Sequence, residues 1–347
     1  MATDPVTEFS LDVPRSAEHG EARDAPPAGT GPWRLAARRM RRNKVALAFG
    51  ALFVLIVLVC AAAPLWANQV AHTGPNTNHI ADTIELDGEE TQVVSFGGIP
   101  IGPTWEGRFF LGADRNGRDT MVRLLYGGRN SLIIGLSAAL ITTLLAVLVG
   151  LLAGYFRGWV DGVISRILDI IWAYPVILLG VALGVALAVG GLQIGPITIS
   201  GNSLAIPILV IALVYVPYMA RPIRGQVLSL REKEFVEAAR AQGAGPVRII
   251  FSEILPNVAS TIIVFFPLMV ANAILLEAAL SFLGAGVQEP EPSWGTMISD
   301  GVDLLITAEH LAIVPGLMLV LTVLSLNVFG DGARDALDPR AKVRLEH

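Results

Sequence analysis

Six stretches of this chain run apolar for long enough to cross a lipid bilayer, and the charges gather between them. They cover residues 45–66 and 131–155, roughly 164–190, 203–220 and 258–283, and then 310–330. A membrane-crossing helix needs about 20 apolar residues. Each stretch therefore reads as one span, and the chain as an all-α polytopic membrane protein with six transmembrane helices. The first stretch, VALAFGALFVLIVLVCAAAPLW, follows a basic cluster, as a signal peptide would. It has about 22 uncharged residues, against ~7–15 in the apolar part of a signal peptide, and starts more than forty residues into the chain. Leu58 and Val59 also precede Cys60 where lipoprotein processing wants small residues. A span is the better reading.

Lys and Arg decide the orientation, because loops rich in them stay in the cytoplasm. With the N-terminus inside, residues 1–44, 156–163, 221–257 and 331–347, with Arg166 at the start of the third span, hold 20 of the 25 Lys and Arg. The other five (Arg108, Arg115, Arg118, Arg123 and Arg129) lie in the long loop 67–130 beside eight Asp and Glu. That loop is then external, as are 191–202 and 284–309. The expected organisation is a disordered cytoplasmic tail over 1–32 and a basic flank with the first span over 33–66. An external loop follows over 67–130, then a five-helix core over 131–335 and a cytoplasmic C-terminus over 336–347.

Composition agrees: 53% apolar and 16% charged, with a mean hydropathy of +0.60, exceeds what a soluble core of this size uses. The net charge of −5 points to no nucleic-acid partner. One cysteine excludes an intrachain disulfide. Five scattered His give no metal-ligand cluster, and no nucleophile has a plausible base, so neither a catalytic nor a metal site is expected.

One polar stretch stands out: EFVEAARAQGAGPVRIIFSEILPN, inside the loop 221–257. Its spacing predicts two short helices. The first covers roughly 228–242, with Ala238, Ala239 and Ala241 favouring helix, and Gly243 suits a left-handed C-terminal cap. Pro246 opens the second, where its missing N–H costs nothing, and that helix is expected to stop near Pro256. Val236, Ala239, Ala241, Val247, Ile249, Ile250, Phe251 and Ile254 supply more apolar surface than a water-exposed connector wants. Such a hairpin either docks in a groove or rests on the inner leaflet.

Glu237-Ala238-Ala239, then three residues, Gly243, then eleven residues to Leu255-Pro256 resemble the EAA signature of bacterial ATP-binding-cassette importer permeases. Glu253 departs from it, standing where Ile is usual. A second Glu277-Ala278-Ala279 lacks the Gly and the Leu-Pro and lies within an apolar run, so spacing rather than the tripeptide carries the resemblance. RRNKVALAFGALFVLIVLV, FLGADRNGRDTMVRLLYGGRNSLIIGL, GYFRGWVDGVISRILDIIWAYPVILLG, GVQEPEPSWGTMISDG and LNVFGDGARDALDPR resemble the dipeptide/oligopeptide (and nickel) branch, in its DppC/OppC-type subunit.

That resemblance implies a type I importer (MetI-like) permease fold in the bacterial inner membrane. It implies a second permease subunit (DppB/OppB-like), two cytoplasmic ATPase subunits and an extracytoplasmic binding protein. The chain has no Gly-x4-Gly-Lys-Ser/Thr phosphate loop, so ATP and Mg would sit on the partners and no cofactor in this chain. The coupling residues would be Glu237, Ala238, Ala239, Gly243, Gly245, Leu255 and Pro256, docked in a cleft of the ATPase. The implied cargo is a dipeptide or oligopeptide, with nickel or a nickel chelate as the alternative. An ion-coupled secondary transporter would instead need several interior charges and broken midplane helices.

Two acids lie in or near spans, where charge is costly and commonly functional. Asp169 follows Arg166 by one turn, which predicts a local ion pair, with a place in the pathway or at a subunit contact as the alternative. Glu277 has no local partner and is a candidate for the pathway or a neighbouring subunit. Asp114, Arg118 and Asp119 are expected to hold the external loop together.

Overall fold

The computed structural model describes residues 32–337, apart from Asp87. The expected tail over 1–32 and the segment over 336–347 fall outside that range, except for Pro32, Ala336 and Leu337.

The basic flank forms α1 (Pro32–Arg42), and Asn43 then caps α2 (Lys44–Ala61) by accepting from the Ala46 N–H at 3.0 Å. The first span was expected to run to residue 66 in one piece. It breaks at Ala62, because Pro64 opens a separate short α3 (Ala63–Trp66), which widens into a π-turn over Ala67–Ala71. A small hairpin follows, β1 (Thr83–Leu86) antiparallel to β2 (Glu89–Gln92), beside a core of Val93, Val94, Ile101, Phe109 and Ala113.

The second span is α4 (Thr120–Phe156), which begins eleven residues before its apolar run because Asp119 caps it. Its carboxylate accepts from Val122 N–H at 2.9 Å and from Phe109 N–H at 2.6 Å. The third span corrects the sequence reading. Residues 164–190 are not one rod but α5 (Gly158–Trp172) and α6 (Val176–Gly190), bent by 88° across Ala173, Tyr174 and Pro175. Pro175 lacks the N–H that would continue α5. A second hairpin, β3 (Leu192–Ile194) with β4 (Ile197–Ile199), leads to α7 (Ala205–Leu230).

After α7 come α8 (Glu234–Ala241) and α9 (Pro246–Arg248), then a π-turn over Ile249–Ile254 and α10 (Leu255–Phe282). A separate second helix ending near Pro256 does not form. The chain runs helically from Pro246 to Phe282. Pro256 deprives the turn behind it of a donor, and there the Leu255 N–H reaches back five residues to the Ile250 carbonyl. The bundle closes with α11 (Trp294–Val302) and α12 (His310–Leu337). Among the described residues, five helices are long and apolar enough to cross a membrane, or six when the bent α5–α6 pair counts as one span.

Lipid gives helices no hydrophobic reason to associate, so small residues that permit close approach do the work. A Cβ on Gly150 of α4 would fall 2.7 Å from Ile223 of α7, and one on Gly154 at 2.7 Å from Val227. Gly135 seats Ile274 of α10, and Gly332 of α12 seats Ala46 of α2. The glycines along α4 thus let α7 and α10 approach closely. Outside this core, Leu55, Leu58, Leu144, Leu148, Leu178 and Val320 stand exposed, as an acyl-chain environment permits.

Candidate functional site

The end of the bundle carrying residues 221–257 projects a tip built by local rules. Helix α8 stops through a Schellman motif: Gly243 has φ +83°, its N–H donates to the Arg240 carbonyl at 2.9 Å, and Ala244 N–H donates to the Ala239 carbonyl at 3.0 Å. Ala239 and Ala244 both pack on the main core. Gly245 takes an ordinary extended conformation (φ −73°, ψ 165°) ahead of Pro246, which opens the next helix as expected.

The tip has two faces. Val236, Ile249, Ile250, Ile254 and Val258 are buried and anchor it to the bundle. Phe235, Val247 and Phe251 are exposed, Val247 by 70% and Phe251 by 60%, alongside exposed Ala238 and Ala241. The Glu237 side chain is exposed and pairs with no cation among the described residues. Leu255 is half-buried against the core, and Pro256 is exposed on the first turn of α10. Glu253, the departure from the signature, lends its backbone carbonyl to the Asn257 side-chain amide at 2.6 Å.

Ionic struts, invisible in the sequence, tie this tip to the rest. Arg157 after α4 meets Glu232 before α8 at 2.5 Å, and Arg231 donates to the Tyr155 carbonyl. Arg240 of α8 lies over the Tyr155 ring at 5.9 Å. Arg224 of α7 grips Asp161 of α5 through Nε at 2.5 Å and Nη2 at 2.7 Å. The predicted Arg166–Asp169 pair is not made: Asp169 accepts from Arg221 of α7 at 2.7 Å. Arg166 lies one turn away on the same helix, but α7 passes alongside with a guanidinium already at the carboxylate. The signal available was an acid on α5 facing a run of Arg at the end of α7; their mutual register was not legible.

At the opposite end, Asp114 accepts from the N–H groups of Asn116 and Arg118 and from Arg118 Nε at 2.6 Å, while Arg123 Nε stands 3.4 Å away. Arg118 and Arg115 also face Asp300 of α11, at 3.7 and 3.1 Å. The GADRNGRD stretch is therefore a clasp that closes the loop on itself and on α11, as its residues implied. Burial pushes the Asp300 carboxyl above its ordinary value, against the pull of Arg115, Arg123 and Arg118. Asp119 is also raised by burial, opposed by its backbone donors.

Glu277, a candidate for the pathway or a subunit contact, is completely buried within this chain. Ser281 Oγ donates to it at 2.7 Å, and Ser131 and Ser293 close over the same place. Trp294 is bound into the same junction, donating Nε1 to the Leu124 carbonyl at 3.2 Å and its backbone N–H to Ser131 Oγ at 3.2 Å. Glu277 thus belongs to the junction of α4, α10 and α11.

Apolar helices long enough to cross a membrane, one pair of them bent, and a projecting tip with exposed apolar side chains are the architecture of a membrane transport component. Residues 146–343 match the family described as "Binding-protein-dependent transport system inner membrane component", and residues 31–82 match the "N-terminal TM domain of oligopeptide transport permease C". The chain belongs to this family of permease subunits of ATP-binding-cassette transporters, in the bacterial inner membrane; it is a transport component and not an enzyme. It is 38% identical over 311 residues to the glutathione transport system permease protein GsiD of Salmonella paratyphi A, covering 90% of this chain and 91% of that one. It is 38% identical over 312 residues to the dipeptide transport system permease protein DppC of Alkalihalophilus pseudofirmus, covering 90% and 91%. Among solved structures, the inward-facing MetNI methionine transporter shares the fold, with a TM-score of 0.52 at 20% identity over 63% of this chain and 97% of that one. A permease of this kind works with a second permease, ATPase subunits and a binding protein.

Proposed function

We propose that this chain is the DppC/OppC-type subunit of an importer for dipeptides and short oligopeptides, with both termini in the cytoplasm. It forms the translocation path with a DppB/OppB-like subunit. Its 221–257 segment docks in a cleft of one of two cytoplasmic ATPase subunits, which hold ATP and Mg. A binding protein outside delivers cargo to the loops 67–130 and 284–309. The glutathione and dipeptide permeases among the relatives support the cargo class, since glutathione is itself a short peptide.

One observation carries the docking: the exposed trio Phe235, Val247 and Phe251 sits on a tip whose other face is firmly buried. Aromatic side chains left in water at a rigid projection gain from burial in a partner's groove. Glu237 beside them has its carboxylate free for a charge-assisted bond across that interface. ATP-driven closure of the ATPases would then pull the tips together and rock the spans.

Co-purification of the chain with its ATPase subunits, before and after Glu237→Lys and Gly243→Pro, tests this. The expected result is loss of association and of substrate-stimulated ATP hydrolysis in both variants. Retention of both properties in both variants overturns the docking role.

A further inference from the structure

The bundle holds two acid–arginine pairs between α5 and α7, and they are built differently. Asp161 receives both Arg224 bonds and a third from Ser165 Oγ at 3.1 Å, with side chains only 19% and 33% exposed. Both carboxylate oxygens are engaged by two guanidinium nitrogens, so this pair is a tie. Asp169 and Arg221 share one hydrogen bond of 2.7 Å, with side chains 54% and 40% exposed. Asp169 Oδ2 and the remaining guanidinium nitrogens of Arg221 make no other hydrogen bond among the described residues.

The surroundings of the second pair are as specific. Arg221 lies over the Trp172 ring at 4.7 Å, and Trp172 stacks on Tyr218 with 13° between the planes and 6.2 Å between centroids. Tyr174 stands exposed at the 88° elbow between α5 and α6, where the backbone leaves its helical ladder. Interrupted spans with exposed charges are where transporters meet cargo. Around the group, Ile167, Ile170, Ile177 and Leu178 are exposed and apolar.

Resting on the peptide-cargo reading, we propose that Asp169 and Arg221, walled by Trp172 and Tyr218, form a site at the α5–α6 elbow that takes the two charged ends of a zwitterionic short peptide. Those ends, an ammonium and a carboxylate, are the only charges that short peptides of every sequence share. The guanidinium offers a fork to the carboxylate, and Asp169 faces the ammonium. While the site is empty the two residues neutralise each other, so neither charge stands alone in a low-dielectric setting. On cargo entry each exchanges one partner for another of the same sign, which leaves little net desolvation to overcome. Trp172 and Tyr218 present a flat wall that accepts side chains without reading them.

The test uses the purified permease pair with its ATPases, without the binding protein, so that only the membrane site reports. Saturation-transfer NMR compares binding of a free dipeptide, its N-acetyl form and its C-terminal amide. Wild type is expected to prefer the free dipeptide over both capped forms. Arg221→Gln should weaken the free form about tenfold, the scale of one charge-assisted bond, and leave the amide unchanged. Asp169→Asn should do the same with respect to the N-acetyl form. If either variant fails to assemble, Arg221→Lys, which keeps the charge but not the fork, must weaken the free form more than the amide. No binding by wild type, equal binding of all three forms, or uniform loss in the variants overturns the site. Dipeptide uptake by wild-type vesicles supplied with the binding protein is measured separately. Its absence overturns the cargo reading, whereas uptake without the capping pattern overturns only the site.

Discussion

Arg224 holds Asp161 with two hydrogen bonds of 2.5 and 2.7 Å, and by that grip α5 is fixed against α7. The helix has few other anchors: of its residues only Leu168 is buried. Asp161→Asn removes the charge and keeps the shape. A partly exposed pair of this geometry is worth about 1–2 kcal/mol after discounting for solvent. Thermal unfolding of the purified transporter should show a destabilisation of that order, and cysteine crosslinking between α5 and α7 should lose efficiency. An unchanged melting profile would mean that α5 is held by something else.

Gly243 and Gly245 sit two residues apart on the same tip and should respond differently. A Cβ at either meets nothing within 4 Å, so space does not decide. Backbone does: Gly243 has φ +83° and Gly245 φ −73°. Gly243→Ala should cost about 1 kcal/mol and loosen the Schellman cap, whereas Gly245→Ala should be near neutral. Hydrogen exchange over 234–250 discriminates them, with faster exchange expected only in the Gly243 variant.

Trp294 is wholly buried, and a Cβ on Gly128 would lie 2.7 Å from its ring and 2.5 Å from Cys60 Sγ. Trp294→Ala should lower stability by about 3–5 kcal/mol through the cavity it leaves. Gly128→Ala should also destabilise, by overpacking at about 1–3 kcal/mol. Both effects should be visible as reduced yield of folded protein in detergent. Wild-type yield from Gly128→Ala would show that the α4–α11 contact is loose.

The raised Asp300 carboxyl sets a sign for pH. Its folded-state affinity for a proton exceeds that in the unfolded chain, so the folded state binds more protons between the ordinary carboxylate value and the raised one. Across that window stability falls as pH rises, and it is level above the window. Acidification through that window should therefore stabilise the folded state by the share Asp300 contributes, seen as slower hydrogen exchange over 110–123 once the intrinsic pH dependence of exchange is divided out. Asp300→Asn should abolish this pH dependence. Faster exchange in wild type on acidification would mean that the ion pairs outweigh desolvation.

Much of this architecture was legible because lipid imposes a simple rule: apolar length reports spans, and Lys and Arg report loops. Gly243 and Pro246 were readable for the same reason of locality, since a cap and a first turn need only their neighbours. The 88° elbow was missed because Tyr174-Pro175 sits inside an unbroken apolar run, where hydropathy alone sees one rod. The stop expected near Pro256 failed because a π-turn absorbed the proline. Asp169 was matched to Arg166 by sequence distance, when its partner Arg221 lies on a helix whose register no local pattern encodes. Glu277 had the mark of a functional charge, and only the fold revealed the serines around it.

The uninterrupted run from Pro246 to Phe282 has a mechanical meaning. Its 37 residues make a lever about 55 Å long at 1.5 Å per residue. It starts beside the exposed Val247 and Phe251 and ends at the far side, past the buried Glu277. With the fulcrum near the middle, a tilt of about 10° would swing each end by roughly 5 Å, in opposite senses, on that same length. A full break between tip and span would absorb a push at the tip; a helix that stays continuous through its π-turn, Pro256 and Pro267 would pass it on to the far end.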